Sequence, residues 1–310
     1  MSSFVYELDG RLASRIQVWP CSLWNHEWTQ QFDQEEIGCG ELLSLTHSET
    51  IKASQRALLK AGADALVTNT FGATAAVMQE YGAADKVRIV NRESARLAVE
   101  VARESASGDE PCLIVGSIGP TCEMLSLRPE TYETRSGVLI SAYMDQAEAL
   151  FDGGVRIFHL ERCQDPQTAR SALVALARLE IKLQCFLAKV VTAQVESEGR
   201  MVLGNSVESF LKEVEPFHLQ AFGVAGRLSA VETALTTLVD AIEVPLMATV
   251  DAFAVASPDG WLQSPDSLSA ATIDLADRFN VRIAGVGIEA PPDFVFSLTK
   301  AFQYRNGAHR

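Results

Sequence analysis

The chain has 310 residues, 47% of them hydrophobic and 21% charged, so it can bury a large core and does not have the composition of a disordered protein. Its 26 basic and 40 acidic residues give a net charge of −14. This charge argues against binding to nucleic acid or to an anionic membrane surface, because both are held by lysine and arginine.

The N-terminal segment MSSFVYELDG has no basic stretch followed by an apolar one, so we predict no signal peptide. No run of 18 uncharged apolar residues follows it, so we predict no transmembrane helix. The six cysteines show no CxxC spacing, which favours reduced thiols over a disulfide scaffold. Together these features predict a cytoplasmic protein.

Short apolar runs alternate with longer amphipathic segments along almost the whole chain. Continuous apolar runs are typical of parallel strands buried on both faces. The eight predicted strands are 4–10, 63–71, 112–120, 155–163, 184–194, 219–226, 244–253 and 281–289. The predicted helices are 47–61, 84–105, 135–152, 165–180, 229–241, 265–279 and 292–304.

Residues 11–46 interrupt this alternation, because the segment VWPCSLWNHEW is aromatic-rich and irregular. We interpret 11–46 as a long loop after the first strand, in a position to cover a pocket. The clearest helix signal lies further on, where Asp165 suits an N-cap and Pro166 the first helical position.

Eight strands alternating with helices over about 300 residues predict an α/β fold, the (β/α)8 TIM barrel. The structural alternative is a doubly wound open sheet, which would favour a glycine-rich phosphate turn, and neither GxGxxG nor GxxxxGK[ST] occurs here. No internal boundary rich in Pro, Gly or Ser is present, so we predict one domain over 1–310.

In a TIM barrel the active site lies at the carboxyl ends of the strands, so polar residues at the predicted strand ends are the site candidates. Two carboxylates, Asp9 and Glu161, could hold an ammonium group. For Asp9, ordinary ion pairing or helix capping is as good an explanation as substrate binding. For each of the polar residues after strand 2, a hydrogen-bonded turn is an equally good explanation. The candidate substrate-binding residues are Asp9, Asn69, Thr70, Phe71, Ser117, Glu161 and Asp251.

At these strand ends the chain resembles the homocysteine S-methyltransferase family, which includes the homocysteine-binding domain of cobalamin-dependent methionine synthase and the S-methylmethionine-dependent enzymes. The matching motifs are DG at 9–10, GADALVTNTFGAT at 62–74, VGSIGPT at 115–121, EALFDGGVRIFHLE at 148–161, GRMVLG at 199–204 and DGW at 259–261. The resemblance implies a (β/α)8 barrel and a pocket for homocysteine or an analogue, lined by Asp9, Thr70 and Glu161.

The resemblance also implies a zinc ion, held in the family by three cysteines that lower the thiol pKa of homocysteine. This sequence lacks all three, since the matching positions are Gly226, Gly287 and Ile288, and the last cysteine is Cys185. We therefore predict no cofactor and do not expect zinc. A replacement metal site at His159, Glu161 and Cys163, which would share one strand face, is a weaker alternative.

Two functions remain open on this reading. One is zinc-independent methyl transfer to a small amino-acid or thiol acceptor, with Glu289 or His159 as the candidate general base. The other is a non-catalytic amino-acid-binding pseudoenzyme, sensor or subunit. A separate methyl-donor or corrinoid protein would be the partner that supplies the methyl group.

Overall fold

The computed structural model describes residues 3–21, 32, 38–105, 111–252, 264–287 and 291–308. Its eight strands all pair in parallel, in the order β1-β8-β7-β6-β5-β4-β3-β2, which makes a nearly closed barrel. The prediction of a (β/α)8 barrel is therefore confirmed. The strands are β1 (Gln17–Pro20), β2 (Ala65–Val67), β3 (Leu113–Ile118), β4 (Ile157–Cys163), β5 (Ala188–Gln194), β6 (Ala221–Gly226), β7 (Leu246–Val250) and β8 (Val281–Val286).

Helices surround the barrel, and all seven predicted helices are present with boundaries shifted by a few residues. At the clearest of them, the Asp165 carboxylate accepts a hydrogen bond from the Thr168 N–H, as expected for an N-cap. The helices are α1 (Ser3–Ser14), α2 (Leu43–Thr46), α3 (Ser48–Lys60), α4 (Ala75–Met78), α5 (Val87–Glu104), α6 (Tyr132–Asp152), α7 (Pro166–Leu183), α8 (Val207–Val214), α9 (Leu228–Leu238), α10 (Pro265–Phe279) and α11 (Pro292–Ala308).

The prediction for the N-terminus was wrong. Residues 4–10 lie in helix α1, and the first strand is Gln17–Pro20, inside the segment 11–46 that we expected to be a loop. The side chains of Val5, Leu8 and Leu12 are buried at helical spacing. A short apolar run fits a strand and a helix equally well, and here burial against the barrel decided for the helix.

Helix α1 closes the amino-terminal end of the barrel. Its apolar residues belong to one core cluster with inward-facing strand residues such as Val67, Val115 and Ile283. A second and larger core lies between the strands and the outer helices. The inner cluster packs mainly apolar side chains between α1 and the amino-terminal ends of the strands.

The seam between β1 and β2 is joined through Asp64 at the start of β2. Its N–H donates to the Val18 carbonyl at 3.0 Å, and its carboxylate accepts from the Val18 N–H at 2.7 Å. Arg15 forms an ion pair with the same carboxylate. Within the described residues, no helix combines the length and apolar character needed to cross a bilayer.

Candidate functional site

The carboxyl ends of the strands form what we call the barrel mouth, and polar side chains from several strands meet there. Because side chains alternate along a strand, residues two apart point to the same face. The last inward-facing residues of β4, β5 and β7 therefore lie at the mouth. The described mouth residues are Cys21, Ser117, His159, Glu161, Arg162, Thr192, Gln194, Gly226, Thr249, Asp251 and Gly287.

Asp9 is not part of this mouth. It is an exposed residue of α1 and lines a surface groove with Val244 and Pro245, which precede β7. Glu161 lies at the other end of the barrel, on β4. The predicted pairing of Asp9 and Glu161 around one ligand is therefore wrong, because the DG motif lies on the closing helix and not at a strand end.

The polar residues after β2 form a chain of hydrogen bonds to β3. The Thr70 hydroxyl donates to the Ser117 carbonyl at 2.8 Å, and the Ser117 N–H donates to Thr68 Oγ1 at 3.0 Å. The two threonine hydroxyls lie 2.6 Å apart. Since Thr70 has a single hydroxyl proton, Thr68 must donate to it. Both hydroxyls thus join neighbouring strands, whereas the buried Ser117 Oγ has no hydrogen-bond partner among the described residues.

Asn69 is directed away from the mouth. Its side-chain amide donates to the Gly40 carbonyl at 2.9 Å and to Ser44 Oγ at 3.3 Å. Phe71 is half-buried, and its carbonyl accepts a 2.8 Å hydrogen bond from the Gly119 N–H. A Cβ at position 119 would lie 2.6 Å from that oxygen, so the GSIGP segment needs glycine for this approach. Asn69 and Phe71 therefore both stabilise the turns around them through these hydrogen bonds.

Glu161 and His159 are fully buried on the inner face of β4, with Glu161 Oε1 3.8 Å from His159 Nδ1. Burial, together with the nearby Arg162 charge, lowers the pKa of His159 to about 3. The imidazole is therefore neutral near pH 7, and its Nε2 lies 3.1 Å from the Thr192 hydroxyl. A base with so low a pKa is a poor match for proton abstraction at neutral pH.

Arg162 was absent from our candidate residues, yet it makes most of the contacts across the mouth. Its guanidinium donates to Gln194 Oε1 on β5 at 2.7 Å and forms an ion pair with Asp251, which follows β7. Its backbone N–H donates to Thr192 Oγ1 at 3.0 Å. Burial opposes the charged form, but Asp251 outweighs it and raises the pKa of Arg162, so the guanidinium is permanently charged.

The backbone at Arg162 explains how two successive residues reach the mouth. Its φ is 52°, in the left-handed region, and the pairing register of β4 with β5 shifts between Leu160 and Cys163. In a regular strand Arg162 would point outward, opposite to Glu161. The local change of conformation brings both side chains inward. Sequence alone contained one signal for this, the charged pair in HLERC at the end of a buried strand.

The same irregularity removes Cys163 from the inner face. Cys163 packs in the core between the barrel and the helices, lining a cavity with Tyr143 and Ala172. His159 and Cys163 therefore lie on opposite sides of β4, and the predicted shared face of a replacement metal site is wrong. Among the described residues, no group of three or more His, Cys, Asp or Glu side chains is placed to hold a metal ion.

The far wall of the mouth carries glycine at two positions where the family resemblance implies a cysteine. A Cβ at Gly226 would lie 2.5 Å from the Val195 carbonyl, and one at Gly287 would lie 2.9 Å from Asp251 Oδ1. Neither glycine offers a donor atom, and neither site has room for a side chain without movement of its neighbours. Ile288 and the candidate base Glu289 lie outside the described residues.

Cys21, which follows β1, is a further mouth residue that we did not predict. Its thiol lies 3.6 Å from Thr249 Oγ1 and is buried. Burial and the Glu161 carboxylate raise the pKa of Cys21 to about 12, so it remains a neutral thiol. Sequence reasoning missed it because the strand that carries it lay inside the predicted loop.

Comparison with known proteins gives a consistent result over the whole barrel. The sequence model of the homocysteine S-methyltransferase family matches residues 8–302. Two curated relatives are methionine synthases, from Mycobacterium tuberculosis and from Mycobacterium leprae, each 30% identical over 187 residues. These matches cover 60% of this chain but 15% of each relative, so the chain corresponds to a small part of those proteins.

Solved structures confirm the fold. The metallated form of the homocysteine methyltransferase MmuM from Escherichia coli superposes with a TM-score of 0.68 at 16% identity, covering 93% of this chain and 96% of that one. Its apo form gives a TM-score of 0.67 at 13% identity, covering 93% and 96%. At such low identity the similarity establishes the barrel and leaves the chemistry to be argued from the residues.

Proposed function

The chain belongs to the homocysteine S-methyltransferase family, and we propose that it binds a small amino acid of the homocysteine type at the barrel mouth and acts in methyl transfer without a bound zinc ion. The observation that carries this proposal is the contrast within the mouth. The buried Glu161 carboxylate is present on one wall, while Gly226 and Gly287 stand on the other where the family's metal ligands are expected.

Glu161 supports the ligand class. Its carboxyl group is buried at the open end of the barrel, where a carboxylate can form a charged hydrogen bond with the ammonium group of a ligand. Asp251 adds a second carboxylate, although Arg162 already pairs with it. An α-amino acid is the ligand class that meets this requirement and agrees with the family.

The donor set of the described mouth does not fit the family's zinc site, which requires three thiolates. Without a metal, a thiol with an ordinary pKa near 8.5 is only a few per cent ionised at pH 7. Methyl transfer would then need another source of thiolate, or a different acceptor. His159 is poorly suited to supply a base because its pKa is about 3, and Glu289 stays a candidate.

The second candidate function is a non-catalytic amino-acid-binding protein that serves as a sensor or as a subunit of a methyltransferase system. The absence of donor atoms at Gly226 and Gly287 favours it, because the acceptor loses the family's means of activation. The partial match to methionine synthases is compatible with either function, with a separate methyl-donor or corrinoid protein as the partner.

The first experiment combines metal analysis of the purified protein with calorimetric titration of L-homocysteine, with and without added zinc. We expect less than 0.1 zinc per chain and zinc-independent binding, as orders of magnitude for a site without thiolate ligands. Glu161→Gln should weaken binding by about 10-fold or more, the cost of one charged hydrogen-bond partner. Stoichiometric zinc, or binding that requires it, would contradict the proposal.

The second experiment separates the enzyme from the pseudoenzyme. The protein is mixed with L-homocysteine and either S-methylmethionine or methylcobalamin, and methylated product is measured by mass spectrometry over a single turnover. Product that disappears in Glu161→Gln supports methyl transfer. Binding of homocysteine without product from either donor supports the non-catalytic function.

A further inference from the structure

Three polar side chains face the barrel interior directly beneath the mouth, and each has a buried polar atom without a hydrogen-bond partner among the described residues. These atoms are Trp19 Nε1 on β1, Ser117 Oγ on β3 and His159 Nδ1 on β4. All three residues are at most 1% exposed. Buried polar groups normally have a partner, so three unpartnered groups at one level of the barrel call for an explanation. We call these three side chains the donor layer.

The members of the donor layer are neighbours in the barrel interior. Ser117 and His159 are partners in the register of β3 with β4, and both lie on the inner face. The indole of Trp19 meets the imidazole of His159 edge-on, with the ring centroids 6.5 Å apart and an interplanar angle of 70°. The layer therefore brings side chains from three strands together around His159.

The hydrogen bonds of Thr192 decide which nitrogen of His159 carries the proton. The Thr192 hydroxyl oxygen accepts the Arg162 N–H at 3.0 Å and lies 3.1 Å from His159 Nε2. Among the described residues, Nε2 is the one acceptor in reach of the Thr192 hydroxyl proton, so Thr192 donates to it. The proton of the neutral imidazole is then on Nδ1. Glu161 Oε1 is 3.8 Å from Nδ1, which is too far for a hydrogen bond.

The donor layer therefore presents two N–H groups, from Trp19 and His159, and the hydroxyl of Ser117. An indole N–H donates only, and a hydroxyl turns to donate or to accept. The partner that these groups require is an acceptor atom. Because the Glu161 carboxyl oxygen lies close to Nδ1, it would repel an anion placed there, and a neutral oxygen fits this position better than a charged one.

We propose that the donor layer binds a neutral oxygen acceptor in the side chain of the ligand, so that the preferred ligand is an amino acid with a hydroxyl or an amide at the end of its side chain. This inference rests on the proposed function, since it specifies the side chain of the amino acid held at the mouth. Glu161 is the next inward residue after His159 on β4, so a ligand that contacts Glu161 lies beside the donor layer. A site that hydrogen-bonds a substrate oxygen rejects the analogue without it, because the donors of the site are then left without a partner.

The test is calorimetric titration near neutral pH with two pairs of amino acids of matched shape. L-Homoserine is paired with L-norvaline, in which a methyl group replaces the hydroxyl. L-Glutamine is paired with L-homoleucine, in which two methyl groups replace the amide oxygen and nitrogen. We expect the polar member of at least one pair to bind about 10-fold or more tightly than its partner, since the apolar member leaves buried donors unsatisfied.

The possible outcomes separate this inference from the proposed function. A preference within one pair supports the inference and shows whether the hydroxyl or the longer amide reaches the donor layer. Equal affinities within both pairs would overturn the inference while leaving amino-acid binding, and so the proposed function, intact. No binding of any of the four amino acids, or of L-homocysteine, would overturn both.

Variants identify the donors responsible. Ser117→Ala removes the hydroxyl and Trp19→Phe removes the indole N–H, and each should reduce the preference by about 3-fold or more while leaving the affinity for the apolar amino acid within about 2-fold. Gln17→Met is the matched control. Gln17 is fully buried with an unpartnered amide, but it lies two residues before Trp19 on β1, further from the mouth, and its variant should keep the whole preference.

Thermal melting shows which variants are folded, and Ser117→Ala, the smaller change, is sufficient for the test if Trp19→Phe does not fold. An unchanged preference in the folded donor-layer variants overturns the inference. Ordered water is the other partner that these donors would accept. If water satisfies them in the complex, the variants change the melting temperature and shift the affinities for polar and apolar amino acids alike, and this result also overturns the inference.

Discussion

The two ends of the barrel are closed by different kinds of residue. At the amino-terminal end, helix α1 places Val5, Leu8 and Leu12 against inward-facing aliphatic side chains. At the mouth, Arg162 reaches across from β4 to Gln194 and Asp251. The first closure is mainly hydrocarbon, and the second is a buried ion pair.

This difference shows why a family motif has to be located in space before its residues are given a role. The DG motif and the polar end of β4 both match the family, yet Asp9 and Glu161 lie at opposite ends of the barrel. The mouth combines a buried carboxyl side chain, Glu161, with an unsatisfied buried donor on Arg162, as expected of a binding site.

Shortening the apolar closure should have the largest effect on stability. Leu8 is fully buried, and Leu8→Ala removes its contacts and leaves a cavity, which should lower the free energy of unfolding by about 3 kcal/mol. Urea denaturation measures this loss. Leu127→Ala is the control, since Leu127 is 64% exposed and should lose less than about 0.5 kcal/mol. A loss at Leu8 as small as that at Leu127 would show that α1 does not close the barrel.

The mouth should make the protein sensitive to acid through His159. The folded pKa of about 3 lies below the ordinary value, so between about pH 6.5 and pH 3 the unfolded chain binds a proton that the folded chain does not. Stability therefore falls as the pH falls, by about 2 kcal/mol between pH 6.5 and 5.

His159→Gln and His159→Phe carry no titrating group and should both lose this part of the pH dependence. Unfolding by urea at a series of pH values measures it in the wild type and in the two variants. Parallel pH profiles for all three proteins would contradict a neutral, buried imidazole.

Two glycine-to-alanine substitutions, one at each end of the barrel, should change the stability in opposite directions. Gly287→Ala places a Cβ 2.9 Å from Asp251 Oδ1 and should destabilise by about 1 kcal/mol, since the carboxylate must move. Gly10→Ala, in the exposed part of α1, meets nothing within 4 Å and should stabilise by up to about 1 kcal/mol, because alanine favours helix. Thermal melting measures both. Destabilisation by Gly10→Ala would show that the DG motif is not an ordinary helical segment.

The smallest expected effect is that of Asp9→Asn on ligand binding. Because Asp9 is exposed at the end opposite to Glu161, the change should alter homocysteine affinity by less than 2-fold in a calorimetric titration. Glu161→Gln, which should weaken homocysteine binding, is the control. If Asp9→Asn weakened homocysteine binding as much as Glu161→Gln does, the ligand would bind at the amino-terminal end of the barrel and not at the mouth.

Much of the fold followed from the sequence because its signals are local. Seven of the eight strands and seven helices were predicted from apolar periodicity. The N-cap at Asp165 was predicted from its residue type. The N-terminus failed because a run of seven residues is too short for periodicity to separate helix from strand. There the helix is favoured because it buries Val5, Leu8 and Leu12 against the barrel interior.

The sequence by itself determined the barrel, the family, and the absence of any cysteine after Cys185, since these depend on residue identity and order. Only the tertiary structure decided which of these residues meet. The left-handed backbone at Arg162 turns one side chain into the mouth and Cys163 away from it, against the alternation expected for a strand. Such a reversal depends on contacts with β5 and with Asp251 after β7, 30 and 89 residues away along the chain, and no local pattern encodes it.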